Sequence, residues 1–288
     1  MKERQGFIRQ SYGGFIRQTY GGLVRQPCGG FTLIELLVVI SVVVLLMAIL
    51  LPSLQRARNQ GRAVKCQANL RHWGLVFSTY TTDNDGWFMR RVPGRYDDFW
   101  YDVLDARQYK DLCFCPMAVK VNPDTDGDGY VRGGKSTAWQ YPDRRSSGDR
   151  PERGSFGLSI WVYDERDSIP EESSDWYWNT PFVERSARVP VFVDCISPYT
   201  YPFSGEPPPP YDYDETPVGS WSMHHFVINR HNGGINILFM DWSARKAGLK
   251  ELWTLKWHRE FDTTNFWTIA GGAKPTDWPE WMRKFKDY

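Results

Sequence analysis

The sequence predicts an α+β protein, with one long N-terminal helix whose distal half packs on an antiparallel β-sheet head. Three observations predict it. An apolar run broken by a single acid fills residues 31–51. An apolar stripe in steps of 3 and 4 extends it to residue 80. From residue 86, short β-type runs alternate with Gly, Pro, Asp and Asn clusters. The 288 residues divide into a basic leader (1–30), a membrane-length helix (31–52), its amphipathic continuation (53–85) and a β-rich head (86–288) with a loop insertion at 197–220.

The leader carries a net +4 (Lys2, Arg4, Arg9, Arg17 and Arg25 against Glu3), whereas the whole chain is only +1. With no bulk positive charge, nucleic acid is not an expected partner. Residues 6–29 read GFIRQSYG-GFIRQTYG-GLVRQPCG, an octapeptide repeat. Three copies of eight are too short for a solenoid, so they read as a duplicated leader without a fold of its own.

Phe31 to Leu51 is 21 residues. At about 1.5 Å per residue, such a helix spans a ~30 Å hydrocarbon core. Small residues precede the run instead of following it, so it is not an ordinary secretory signal. Basic residues on its N-terminal side keep that side cytoplasmic and send the rest of the chain across. Glu35 is the anomaly, because a carboxylate inside a spanning helix costs about 2.5–3.5 kcal/mol at mid-membrane. Cleavage after Gly30 would give Phe31 a new α-amino group, with Glu35 as its i+4 neighbour on one helical face. A pair of that kind offsets the cost of burying the acid.

GGFTLIELLVVISVVVLLMAILLP resembles the N-terminal segment of type IV pilins and type II secretion pseudopilins. The resemblance rests on Gly30, Phe31, Glu35 and Pro52. It implies a pilin-like fold, cleavage after Gly30 by a prepilin peptidase and methylation of Phe31. It also implies pairing of Glu35 with the N-terminus of a neighbouring pilin or pseudopilin subunit during assembly. The implied location is the inner (cytoplasmic) membrane, single-pass, with the C-terminal head in the periplasm or at the cell surface.

Beyond Pro52, Ala63, Cys66, Leu70, Trp73, Phe77 and Tyr80 line one side of an amphipathic helix that ends near Asp83-Asn84-Asp85-Gly86. A kink at Pro52 is expected. In the head, 87–89, 112–115, 156–160, 191–193 and 235–240 read as strands. The polyproline stretch within 197–220 reads as a surface loop. DTDGDGY meets the first half of a calcium loop, making Asp124, Asp126 and Asp128 candidate Ca²⁺ ligands. The closing Glu is missing, since the twelfth position is Lys135, and a solvated acidic turn fits the same residues.

RHNGGINILFMDW (230–242) places a turn, a buried strand and a second turn between His231 and Asp241. It resembles the C-terminal motif of the prepilin-type H-X9-DG proteins of planctomycetes and their relatives, with Trp242 in place of the motif glycine. CQANLRHWGLVFSTYTTDNDG, Cys115-Pro116 and LKELWTLKWHREF are similar to other stretches of that family. The expected role of His231 and Asp241 is to brace two turns. His224, His225 and His258 lack metal-motif spacing. Of five cysteines, Cys28 lies in the leader. Cys66, Cys113, Cys115 and Cys195 suffice for two disulfides of unassigned pairing, and a zinc site is disfavoured because C-x-C lacks the usual spacing. Towards the C-terminus, 249–261 reads as a short amphipathic helix, and a last helix is expected with Thr276 or Asp277 as cap and Pro279 in its first turn.

The functional expectation is a structural pseudopilin-like subunit, not an enzyme and without a required cofactor, serving a type II secretion-like pseudopilus or related filament. The alternatives are a membrane-anchored surface protein whose aromatic-rich head binds polysaccharide, and a tethered metal hydrolase using His231 and Asp241.

Overall fold

The computed structural model describes residues 31–90, 100–123, 127, 129–142, 151–165, 175–212 and 222–288. The leader repeat, Gly30 and the candidate calcium ligands Asp124, Asp126 and Asp128 lie outside them. The chain divides into two compact units at Leu51/Pro52.

Helix α1 runs from Leu33 to Asp83 and contains Pro52 as a helical residue. In the first unit, the apolar side chains of 33–51 are exposed along the whole run. Their mean hydropathy and length suffice to cross a membrane.

In the second unit, α1 buries Cys66, Asn69, Leu70, Trp73, Gly74, Phe77 and Thr81. These positions recur every three or four residues, as an amphipathic helix requires. The face packs on a five-stranded mixed sheet of order β6-β4-β5-β7-β8. Its strands are β4 (Phe156–Ser159), β5 (Pro190–Asp194), β6 (Tyr199–Thr200), β7 (Gly234–Phe239) and β8 (Ala244–Gly248). Adjacent strands are antiparallel except β4 and β6, which are parallel. A smaller sheet joins β1 (Lys120–Val121), β2 (Thr137–Tyr141) and β3 (Glu152–Gly154). At Gly74 the helix lies close against β7 and the turn after it: a Cβ there would lie 3.0 Å from Leu238 Cδ1 and 3.3 Å from the Trp242 carbonyl oxygen.

Aromatic rings fill the space between helix and sheet. Phe192 lies 5.4 Å from Trp73 and 4.8 Å from Trp100, centroid to centroid. Three of the buried indole N–H groups find backbone acceptors here: Trp73 donates to Leu112, Trp100 to Pro198 and Trp139 to Phe156. Ring burial therefore leaves no donor unpaired at these three positions.

Several expectations are corrected. Residues 87–89 and 112–115 are not strands. Cys115 N–H is taken by the Ser155 hydroxyl and Ser155 N–H by the Cys113 carbonyl, so that segment pairs irregularly. Residues 249–261 form only a 3₁₀ turn at Lys250–Thr254. The last helix is two 3₁₀ turns, Pro275–Asp277 and Glu280–Met282, because Pro279 withholds an N–H between them. The polyproline stretch is not a free surface loop. Pro208 and Pro209 are buried. Carbonyls of this stretch are held by neighbouring side chains, with Trp253 donating to Glu206, and Trp281 to Pro209.

Candidate functional site

Two places carry chemistry. The first is the start of α1. Thr32 precedes the helix, and its Oγ1 accepts the Glu35 N–H at 3.2 Å. Glu35 Oε2 in turn accepts the Thr32 backbone N–H at 2.8 Å and the Thr32 hydroxyl at 2.9 Å. This is a reciprocal capping box, in which two backbone donors of the first turn are satisfied by side chains three residues apart. Glu35 thus has a local partner within the chain. Both bonds are to Oε2, and Phe31 is exposed next to the cap. The T-x-x-E spelling signals this box in the sequence, but reading Glu35 only as a misplaced membrane charge overlooks it.

The second place lies in the head. His231 and Asp241 do not meet, for they flank opposite ends of β7. Asp241 is exposed, and its Oδ1 accepts the Ser243 N–H at 3.0 Å and the Ser243 hydroxyl at 2.6 Å. Trp242 adopts φ +63°, the left-handed region that a glycine enters more easily. The turn forms nonetheless, and the Trp242 ring lies parallel to Phe77 at 6.4 Å.

His231 follows Arg230 into the interior, ahead of a turn at Asn232 and Gly233, both with positive φ. Its Nε2 lies 3.0 Å from Asp194 Oδ2 and 3.3 Å from Cys115 Sγ. Cys66 Sγ stands 3.7 Å from both Asp194 oxygens. Four segments supply these groups: Cys66 from α1, Cys115 from the stretch after the 3₁₀ turn Ala106–Cys113, Asp194 from the end of β5, and His231 from the turn before β7. All four are buried, Cys66, Cys115 and Asp194 completely and His231 to 6% exposure. Their donor atoms lie within 4.8 Å of one another. The four described cysteines are free thiols.

Arg230 holds this cluster from behind. Its fully buried guanidinium donates to Asp194 Oδ1 at 3.0 Å and to the carbonyls of Ser155, Gly134, Lys135 and Cys195. Asp194 Oδ2 also accepts the Asn236 N–H at 2.8 Å. Burial pushes the Asp194 carboxyl up, but His231, Arg230 and Asn236 outweigh it and bring it to about 2. Burial pushes His231 down, yet the adjacent Asp194 charge and the Cys115 contact raise it to about 9. Burial also opposes ionisation of Cys115, while hydrogen bonds from Cys66 and His231 bring it to about 7. The Cys66 thiol is pushed well up, chiefly by burial.

A nucleophilic Cys–His–Asp relay needs the imidazole to bridge its partners through its two different nitrogens. Here Cys115 and Asp194 both face Nε2, and Nδ1 has no partner among the described residues. His224, His225 and His258 stand apart from the cluster: His224 faces the Pro207 carbonyl, His258 lies flat on Trp176, and burial lowers His225 to about 4. No described tryptophan is exposed, whereas Phe182, Tyr211 and Phe266 are.

A family model, the prokaryotic N-terminal methylation motif, matches residues 25–51. No curated protein and no solved structure matches the chain.

Proposed function

We propose that this chain is a structural pilin-like subunit, cut after Gly30 by a prepilin peptidase, methylated at Phe31 and assembled through α1 into a type II secretion-like pseudopilus or related filament. The observation that carries the reading is the methylation motif over 25–51, on a helix whose apolar side chains are exposed from Leu33 to Leu51. An apolar surface of that length is stable only in lipid or against other helices. The same helix serves both settings: it waits in the inner membrane and then packs against its neighbours in the fibre, with the head on the far side.

Glu35 has a part in each state. Before assembly its carboxylate closes the capping box with Thr32, which keeps the acid hydrogen-bonded while the helix sits in lipid. After cleavage, the α-amino group of Phe31 on a neighbouring subunit is a stronger partner, because two opposite charges in a low-dielectric setting outweigh hydrogen bonds from the uncharged Thr32 donors. The test compares Glu35→Ala with the parent in cells that carry a prepilin peptidase. The variant is expected to be cleaved normally while its subunit–subunit cross-links fall at least tenfold. Normal cross-linking of Glu35→Ala would contradict the role given to the carboxylate.

A further inference from the structure

We propose that Cys66, Cys115, Asp194 and His231 form a closed structural metal site that holds one zinc ion between α1 and the sheet of the head. The inference is independent of how the N-terminus is processed.

Convergence is the first argument. The two sulfurs, the imidazole nitrogen and the carboxylate come from four separate segments, yet their donor atoms fall within 4.8 Å of one another. Around a tetrahedral zinc, with bonds of about 2.3 Å to sulfur and about 2.0–2.1 Å to nitrogen and oxygen, neighbouring donor atoms sit roughly 3.3–3.8 Å apart. The Cys115–His231 and Cys66–Asp194 separations, 3.3 and 3.7 Å, fall in that range, and the His231–Asp194 separation, 3.0 Å, lies just below it.

The imidazole supplies the second argument. A ring nitrogen has one in-plane direction for bonding. Cys115 Sγ and Asp194 Oδ2 both crowd that one direction at Nε2, and Nδ1 faces no partner among the described residues. One N–H cannot serve two acceptors well, whereas a cation in front of Nε2 engages all of them together. Donor chemistry agrees, since two thiolates, an imidazole and a carboxylate suit zinc and disfavour calcium or magnesium.

Charge completes the case. Zinc with two thiolates and Asp194 carries a net −1, and the fully buried Arg230 neutralises it through its bond to Asp194. The Asn236 N–H fixes the same carboxylate from the side. Such outer partners commonly orient metal ligands. Loading displaces the thiol protons, and any proton on Nε2, to solvent, and no electron moves. Four protein ligands leave no open position, so the ion would be structural and would tie α1 to β5 and to the turn before β7.

The test uses the full chain carrying Cys28→Ser, reduced and purified in detergent, then dialysed after exposure to Zn²⁺ or Co²⁺. Elemental analysis is expected to find about one zinc per chain, and the cobalt form to show thiolate-to-cobalt charge-transfer absorption. Cys113→Ser should keep that absorption and Cys115→Ser should lose it. The spectrum of the chain with all four head cysteines intact decides the matter even where a variant fails to fold. Absence of bound zinc and of the cobalt–thiolate band in that chain overturns the proposal, whether Cys66 and Cys115 are then found free or joined to each other.

Discussion

Arg230 is the sharpest point at which to test the account of the head. Its guanidinium is fully buried, pairs with an equally buried Asp194 at 3.0 Å and donates to four backbone carbonyls. Arg230→Ala would remove one of the two counter-charges beside the Asp194 carboxylate, leaving only His231 against it in a dry interior. Removing one partner of a buried pair costs about 3–5 kcal/mol, much of it the penalty of the charge left behind. For a unit of this size, about 2–4 °C of melting temperature is lost per kcal/mol, so a fall of roughly 6–20 °C is expected. Urea unfolding followed by tryptophan emission measures the same loss as a lower midpoint. The internal control is Arg245→Ala, whose partner Glu251 lies 2.8 Å away at a part-exposed site. That pair should be worth less than ~1 kcal/mol. Adding Asp194→Asn to Arg230→Ala should recover part of the deficit, because the stranded charge is then gone. Equal, small losses for Arg230→Ala and Arg245→Ala would refute the claim that the buried guanidinium organises this end of the sheet.

Two further predictions concern single side chains. Burial raises the Glu206 carboxyl from 4.5 to about 7 although it accepts the Met223 N–H. The folded state then binds the proton more tightly than the unfolded chain. Stability from this group is full below pH 4.5 and is lost as pH rises through 7, by at most about 3 kcal/mol. Glu206→Gln should flatten that slope, and an unchanged slope in urea midpoints between pH 5 and 8 would reject the assignment. At Trp242, the positive φ disfavours any Cβ by about 1 kcal/mol, while the ring covers Phe77 and Phe88. Trp242→Ala loses the packing and keeps the strain, whereas Trp242→Gly loses the packing and relieves it. The glycine variant should therefore be the more stable of the two by about 1 kcal/mol, and the reverse order would show that the turn is not strained.

How much of this was legible depends on the range of the interactions. The stripe at Cys66, Leu70, Trp73 and Phe77 and the runs that became β4, β5 and β7 were readable, because periodicity and β-branched content are local signals. Strand β8 was not, since ARKAG offers only two small apolar residues and joins the sheet by pairing with β7. The stretch 112–115 misled because its apolar content serves the core while its N–H groups bond irregularly. The H-x9-D spacing correctly marked a turn–strand–turn unit. It could not reveal that His231 turns inward to Asp194. The metal-type cluster was invisible for the same reason: Cys66 and Asp194 are 128 residues apart, Cys115 and His231 are 116 apart, and no short spacing links them. C-x-C at 113 and 115 pointed away from zinc, although only Cys115 belongs to the cluster.

The central claim is that the apolar helix is an assembly element released by proteolysis. Mass spectrometry of the protein recovered from its native membrane tests it most directly. The account predicts a chain that begins at Phe31 with a methylated α-amino group. A retained leader, or an N-terminus at any other residue, would contradict it.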